Sequence, residues 1–153
     1  MGTYSLQEAE GICGLVEKYQ LEGREILKLY SIEEIVEIYN GAGPDSWPEI
    51  GREILTNFMS LFKPVIMIHD LDFDRSDGTE TTFQAVTARW KTNCRIIMEA
   101  EYPFWSARQL DRQYRRDRAY WLGEMVIANL AISGDSAKKA WQAAFERKNK
   151  KGV

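Results

Sequence analysis

The chain has one histidine, His69, and two cysteines, Cys13 and Cys94, in 153 residues. A single imidazole excludes multi-histidine zinc and iron centres and leaves one side chain for base chemistry near neutral pH. The two cysteines are far apart and form no Cys-x-x-Cys pair, which excludes a disulfide framework or zinc knuckle and makes a reducing compartment the expectation. No run of about 18 apolar residues is present to span a membrane. The opening Met1-Gly2-Thr3-Tyr4-Ser5 lacks the basic-then-apolar order of a signal peptide, and Leu6 stands where a myristoylation pattern needs Ser or Thr. Positive charge is not in excess either. Twenty Lys and Arg against 23 Asp and Glu leave a net charge of −3. That argues against nucleic acid as a partner except through a local patch.

What is present is helical periodicity, with a 44% hydrophobic and 28% charged composition that suits a single globular domain over residues 1–153. The expected fold is all-α, a compact multi-helix domain. Capping boxes at Ser5 with Glu8, Ser31 with Glu34 and Ser46 with Glu49 mark three helix starts, the last with Pro48 in its first turn. Segment 5–29 carries Gly11, Gly14 and Gly23 and predicts two short helices or one imperfect one. Further helices are expected at about 32–39, 47–62, 82–100 and 105–132, with a last one from Gly134-Asp135-Ser136 into a frayed tail over 146–153. Asn40-Gly41-Ala42-Gly43-Pro44 is the densest turn signal. Asp72 to Glu80 reads as an acidic turn, with Asp72 and Asp74 as solvated residues.

His69 follows the apolar run Val65-Ile66-Met67-Ile68 and precedes Asp70. Neighbouring helical residues point about 100° apart, so the ring and the carboxylate can serve different partners. A ring held by buried neighbours suits a general base. A hydrogen-bonded structural histidine at a helix end is the alternative. Upstream, the alternate glycines of Tyr39-Asn40-Gly41-Ala42-Gly43 permit a turn with converging carbonyls, and carbonyls with a carboxylate are the ligands calcium prefers.

Tyr-x-Gly-x-Gly followed by His-Asp-x-x-(Tyr or Phe) resembles the calcium-dependent phospholipase A(2) family, above all its disulfide-free viral and bacterial branch. The resemblance covers residues 39–94 and implies a phospholipase A(2)-like helical core extended by flanking helices. It implies that His69 deprotonates water, that Asp70 and the carbonyls of Tyr39, Gly41 and Gly43 hold calcium, and that Phe73 supports the site. The chain departs from the pattern in three places: the loop-to-histidine spacing is long, Phe73 lacks the usual hydroxyl, and Thr87 stands where a second carboxylate should orient the imidazole. A hydroxyl accepts the ring N–H without offsetting an imidazolium charge. Asn93 is a further candidate for that orienting role.

The expected function is therefore calcium-assisted hydrolysis of phospholipid esters, or a catalytically impaired descendant of such an enzyme. The alternative is a non-catalytic structural or interaction protein of viral or mobile-element origin, cytoplasmic or virion-associated. An EF-hand reading of 70–81 fails, because Arg75 replaces the turn glycine and Thr81 the closing glutamate. Arg108, Arg112, Arg115, Arg116 and Arg118, interleaved with Trp105, Tyr114, Tyr120 and Trp121, suit an anionic membrane surface or a nucleic-acid backbone. They equally suit a solvated face paired with Asp111, Asp117 and Glu124. Partners thus span a phospholipid surface and a protein, with a nucleic-acid-binding module the least supported.

Overall fold

The computed structural model describes residues 4–39 and 60–152. The fold is all-α, with no strand among the described residues. Six α-helices are described: α1 (Leu6–Lys18), α2 (Ile32–Ile38), α3 (Lys63–Asp74), α4 (Glu80–Glu101), α5 (Arg112–Ser133) and α6 (Asp135–Lys151). Short 3-10 segments cover Arg24–Leu29, Ser60–Phe62 and Ala107–Leu110. No described helix is long and apolar enough to cross a membrane.

Local chemistry explains the boundaries. Ser5 and Ser31 form the two described capping boxes, each accepting from the backbone N–H of the Glu three residues on while that Glu accepts from the serine backbone. The third box, at Ser46, lies outside the described residues, as does most of the helix expected at 47–62. The glycine-bearing 5–29 segment resolves into α1 and a 3-10 turn. Gly23 sits between them at φ +80°, where a Cβ would come within 2.7 Å of the Arg89 side chain.

Three expectations change. First, α4 begins at Glu80 because Thr79 caps it, accepting from the Thr82 N–H. Second, the helix expected from 105 starts only at Arg112. Ser106 caps a 3-10 turn first, and Asp111 then accepts from the Gln113 N–H to open α5. Third, where a frayed tail is expected, α6 stays helical to Lys151, its last turn carrying Lys148, Lys150 and Lys151 beside the negative end of the helix dipole.

Helix α3 is the centre of the fold. Val65, Ile66, Met67, Ile68 and Leu71 are almost fully buried, because α1, α2, α4, α6 and the Arg24–Leu29 turn all pack against it. The buried face of α4 repeats at helical spacing through Phe83, Val86, Thr87, Trp90, Asn93, Cys94, Ile97 and Met98. A smaller apolar cluster of Phe83, Val86 and Trp141, with Phe73 and Ala137 against it, locks α6 onto the α3–α4 turn. There the Trp141 Nε1–H donates to the Thr79 carbonyl at 3.0 Å and the Ser76 hydroxyl donates to the Trp141 carbonyl at 2.8 Å.

Candidate functional site

His69 lies inside α3, and the helix continues through Asp70 and Phe73 to Asp74. Phe73, one turn on, stacks against the imidazole with ring centroids 4.5 Å apart, and Trp90 of α4 meets it edge-on at 5.0 Å. Two aromatic contacts, one tilted by 36° and one edge-on at 75°, fix the rotamer of the ring. The side chain remains 15% exposed, so water can still reach it. Neither ring nitrogen makes a hydrogen bond among the described residues; the nearest carboxylate oxygen, Asp70 Oδ1, is 3.9 Å from Nδ1.

The Asp70 charge also acts on a second residue. Tyr39, the residue at the end of α2, is fully buried, and its ring packs on Tyr4 at 4.6 Å. Burial raises the phenol pKa far above its ordinary value, and the nearby charges of Asp70 and Glu8 add to the rise. The Asp70 charge therefore acts on the Tyr39 phenol across the packing of α3 on α2. Gly41 and Gly43, the other expected calcium donors, lie outside the described residues. Among the described residues no three His, Cys, Asp or Glu side chains cluster as a metal-binding group.

Neither candidate for orienting the ring bonds to it. Thr87 is buried one turn before Trp90, and no hydrogen bond joins it to His69. Asn93 spends both ends of its amide on the backbone of Glu22: its Oδ1 accepts from the N–H at 2.7 Å, and its Nδ2 donates to the carbonyl at 2.9 Å. The turn after α1 leaves these backbone groups without helical partners, and a buried amide is well suited to satisfy both. In this structure Asn93 is a clamp between α4 and that turn.

Two residues beside the histidine were not expected there. Asp72, read from sequence as solvated, is buried, and Arg89 of α4 donates to its Oδ1 at 2.6 Å. The correction follows from register: Asp72 lies on the α3 face that α4 covers. Burial raises the Asp72 pKa, and the Arg89 guanidinium opposes that rise without cancelling it. His69, Asp72, Arg89, Trp90 and Asn93 border one shallow depression together with apolar side chains of α3 and α4. Trp90 stands on the apolar stripe legible in α4. The Asp72–Arg89 pair is separated by 17 positions and has no local signal.

Asp74 is likewise engaged, accepting from the Tyr30 hydroxyl at 2.7 Å. Chemically, the arrangement presents one fixed, partly accessible imidazole with the Asp70 carboxylate 3.9 Å from it. Among the described residues it provides no hydrogen-bonded acid behind the ring. Comparison of the chain with family models, with curated proteins and with solved structures gives no match.

Proposed function

We propose that the chain is a lipid ester hydrolase of the calcium-assisted kind in which base catalysis is weakened. The observation that carries this reading is a rotamer-fixed, partly exposed imidazole on α3 with a carboxylate beside it. His69 lies against Phe73 and Trp90, Asp70 Oδ1 stands 3.9 Å from its Nδ1, and the Asp70 charge also acts on Tyr39, the residue that precedes the glycine-bearing sequence.

The donor chemistry fits calcium. Asp70 is a hard carboxylate, and Tyr39 leaves the helix at φ −72°, ψ 95°, which takes its carbonyl out of the helical ladder. Asp70 and the Tyr39 carbonyl would hold the ion together with the carbonyls of Gly41 and Gly43. When bound, it supplies Lewis-acid polarisation of an ester carbonyl.

The chain's own residues do the rest. The exposed edge of the His69 ring takes a proton from water, while Phe73 and Trp90 keep the ring in one orientation. Among the described residues the imidazolium so formed has no hydrogen-bonded carboxylate to offset it, since Asp72 is held by Arg89 and Asn93 by Glu22. Turnover is therefore slow compared with a site that has a carboxylate at position 87.

The test is hydrolysis of phospholipid vesicles by the intact chain with calcium or with a chelator. Release of fatty acid that needs both calcium and His69 supports the reading. Release that persists in His69→Ala or under chelation removes it. The missing acceptor also favours a second reading, a non-catalytic interaction protein on the same scaffold, which a complete absence of hydrolysis would select.

A further inference from the structure

We infer that the solvent face of α5 docks on an anionic lipid surface. Helix α5 has two apolar sides. One carries Tyr114, Trp121, Leu122, Met125 and Ala128 into the core. On the opposite side, Arg112, Arg116, Ala119, Gly123, Ile127 and Leu130 fall along one stripe at helical spacing, with Tyr120 and Val126 beside it. Ile127 is 62% and Leu130 70% exposed, and among the described residues nothing lies within 4 Å of a Cβ built at Gly123. No Asp or Glu stands on this stripe. Single exposed apolar residues need no explanation, but a contiguous face of about three helical turns marks an interaction surface.

Charge selects the partner. Residues 103–118 carry five arginines and two aspartates, a net +3 in a chain whose total is −3. None of the five arginines is ion-paired among the described residues. The aspartates are spent otherwise: Asp111 caps α5, and Asp117 accepts from Gln113 Nε2 at 2.7 Å. Arg108 lies over the Tyr114 ring at 4.6 Å, Arg118 donates to the Tyr102 carbonyl, and Arg115 donates to the Gln109 carbonyl. These contacts hold the 102–111 connection in place while leaving Trp105 91% and Leu110 88% exposed at the basic end of the helix.

A surface with an unpaired basic end and an apolar body matches a bilayer interface, where phosphates meet guanidinium groups and apolar side chains enter the acyl boundary. A second copy fits less well. An antiparallel pair centred on Gly123 would press Arg116 against the partner's Leu130. A nucleic acid would leave the apolar body of the stripe without a partner. As the face that brings a lipid hydrolase to its substrate, the inference rests on the function proposed above; as a membrane contact, it is measured without any hydrolysis.

The experiment is co-sedimentation of the intact chain with vesicles of phosphatidylcholine alone or mixed with anionic phosphatidylglycerol, all in chelator. Binding to the mixed vesicles only, weakened by added salt and accompanied by a blue shift of tryptophan emission, is the expected result. The double variant R112E/R116E should bind roughly twenty-fold or more weakly, since each arginine near an anionic surface is worth about fivefold. R112Q/R116Q and I127S/L130S should each lose binding too. These side chains are exposed, and an unchanged circular dichroism melt verifies that each variant folds. His69→Ala should bind like the unaltered chain, so a failed hydrolase reading leaves docking intact. Absence of binding, equal binding to neutral vesicles, or variants that bind like the parent would overturn the inference. So would a dimer that I127S/L130S dissociates with no effect on vesicles, or preferential binding to a nucleic-acid duplex.

Discussion

At the scale of residues, the pair of greatest consequence is Asp72 and Arg89. Burial raises the Asp72 pKa, so the folded chain holds a proton that the unfolded chain has already released. Stability from this group is therefore present below the ordinary aspartate range and declines as pH rises through the elevated folded value. Arg89→Gln removes the one guanidinium that opposes the shift. The Asp72 carboxyl resonance should then titrate at still higher pH in NMR, and urea unfolding at neutral pH should show a loss of roughly 2 kcal/mol. The thiols make a second residue-level case. Burial pushes Cys94 up to about 12 and raises Cys13 as well. Since the thiolate is the reactive form, iodoacetamide at pH 8 should modify Cys94 only after denaturation, as mass spectrometry would read directly.

At the scale of elements, docking depends on a few contacts with no counterpart in propensity. Helix α6 is held by Trp141, which is 1% exposed and bonds to the Thr79 carbonyl. Trp141→Ala should cost about 3–5 kcal/mol in chemical denaturation, the range for opening a large cavity in a packed core. A loss below about 1 kcal/mol would mean that α6 is only loosely attached. Gly23 joins α1 to the turn that packs on α3, and Gly23→Ala combines a left-handed backbone with a clash against Arg89. It should cost roughly 1–2 kcal/mol, read as a lower melting temperature. The two hydroxyl bridges, Tyr19 to Glu101 at 2.6 Å and Tyr30 to Asp74 at 2.7 Å, tie the N-terminal third to α3 and α4. Burial and the adjacent carboxylates raise both phenols to about 12, so these bridges keep their protons well into alkaline solution.

At the scale of the whole molecule, calcium is the discriminating ligand. An ion that binds the folded chain alone raises its stability by about 2.7 kcal/mol at a hundredfold excess over Kd. In a chain of this length that is a rise of roughly 5 °C or more in Tm, and Asp70→Asn should abolish it. A melt that calcium leaves unmoved would select the non-catalytic reading. Thr87→Asp tests the weakness of the base from the other side. A carboxylate at that position should raise calcium-dependent fatty acid release by about ten- to a hundredfold in the folded fraction.

Much of the architecture was legible in the amino-acid order because its signals are local. Ser5 and Ser31 announce helix starts by chemistry confined to four residues, Gly23 announces a break, and the stripe from Phe83 to Ile97 announces a buried face. The start of α5 was misjudged by seven positions because Trp105 and Ser106 satisfy helical periodicity, while the Ser106 and Asp111 caps compete for the same backbone. The environment of His69 was only half legible. Its neighbour Phe73 follows from spacing along one helix, and the differing directions of the His69 and Asp70 Cα–Cβ bonds follow from helical geometry. That Asn93 clamps Glu22 and that Asp72 is buried against Arg89 are consequences of how the elements around α4 register against one another. Short-range order in the chain determined the helices and the place of its one histidine on α3. Tertiary packing alone decided which polar groups were already committed to each other, because partners many residues apart meet only when the core closes.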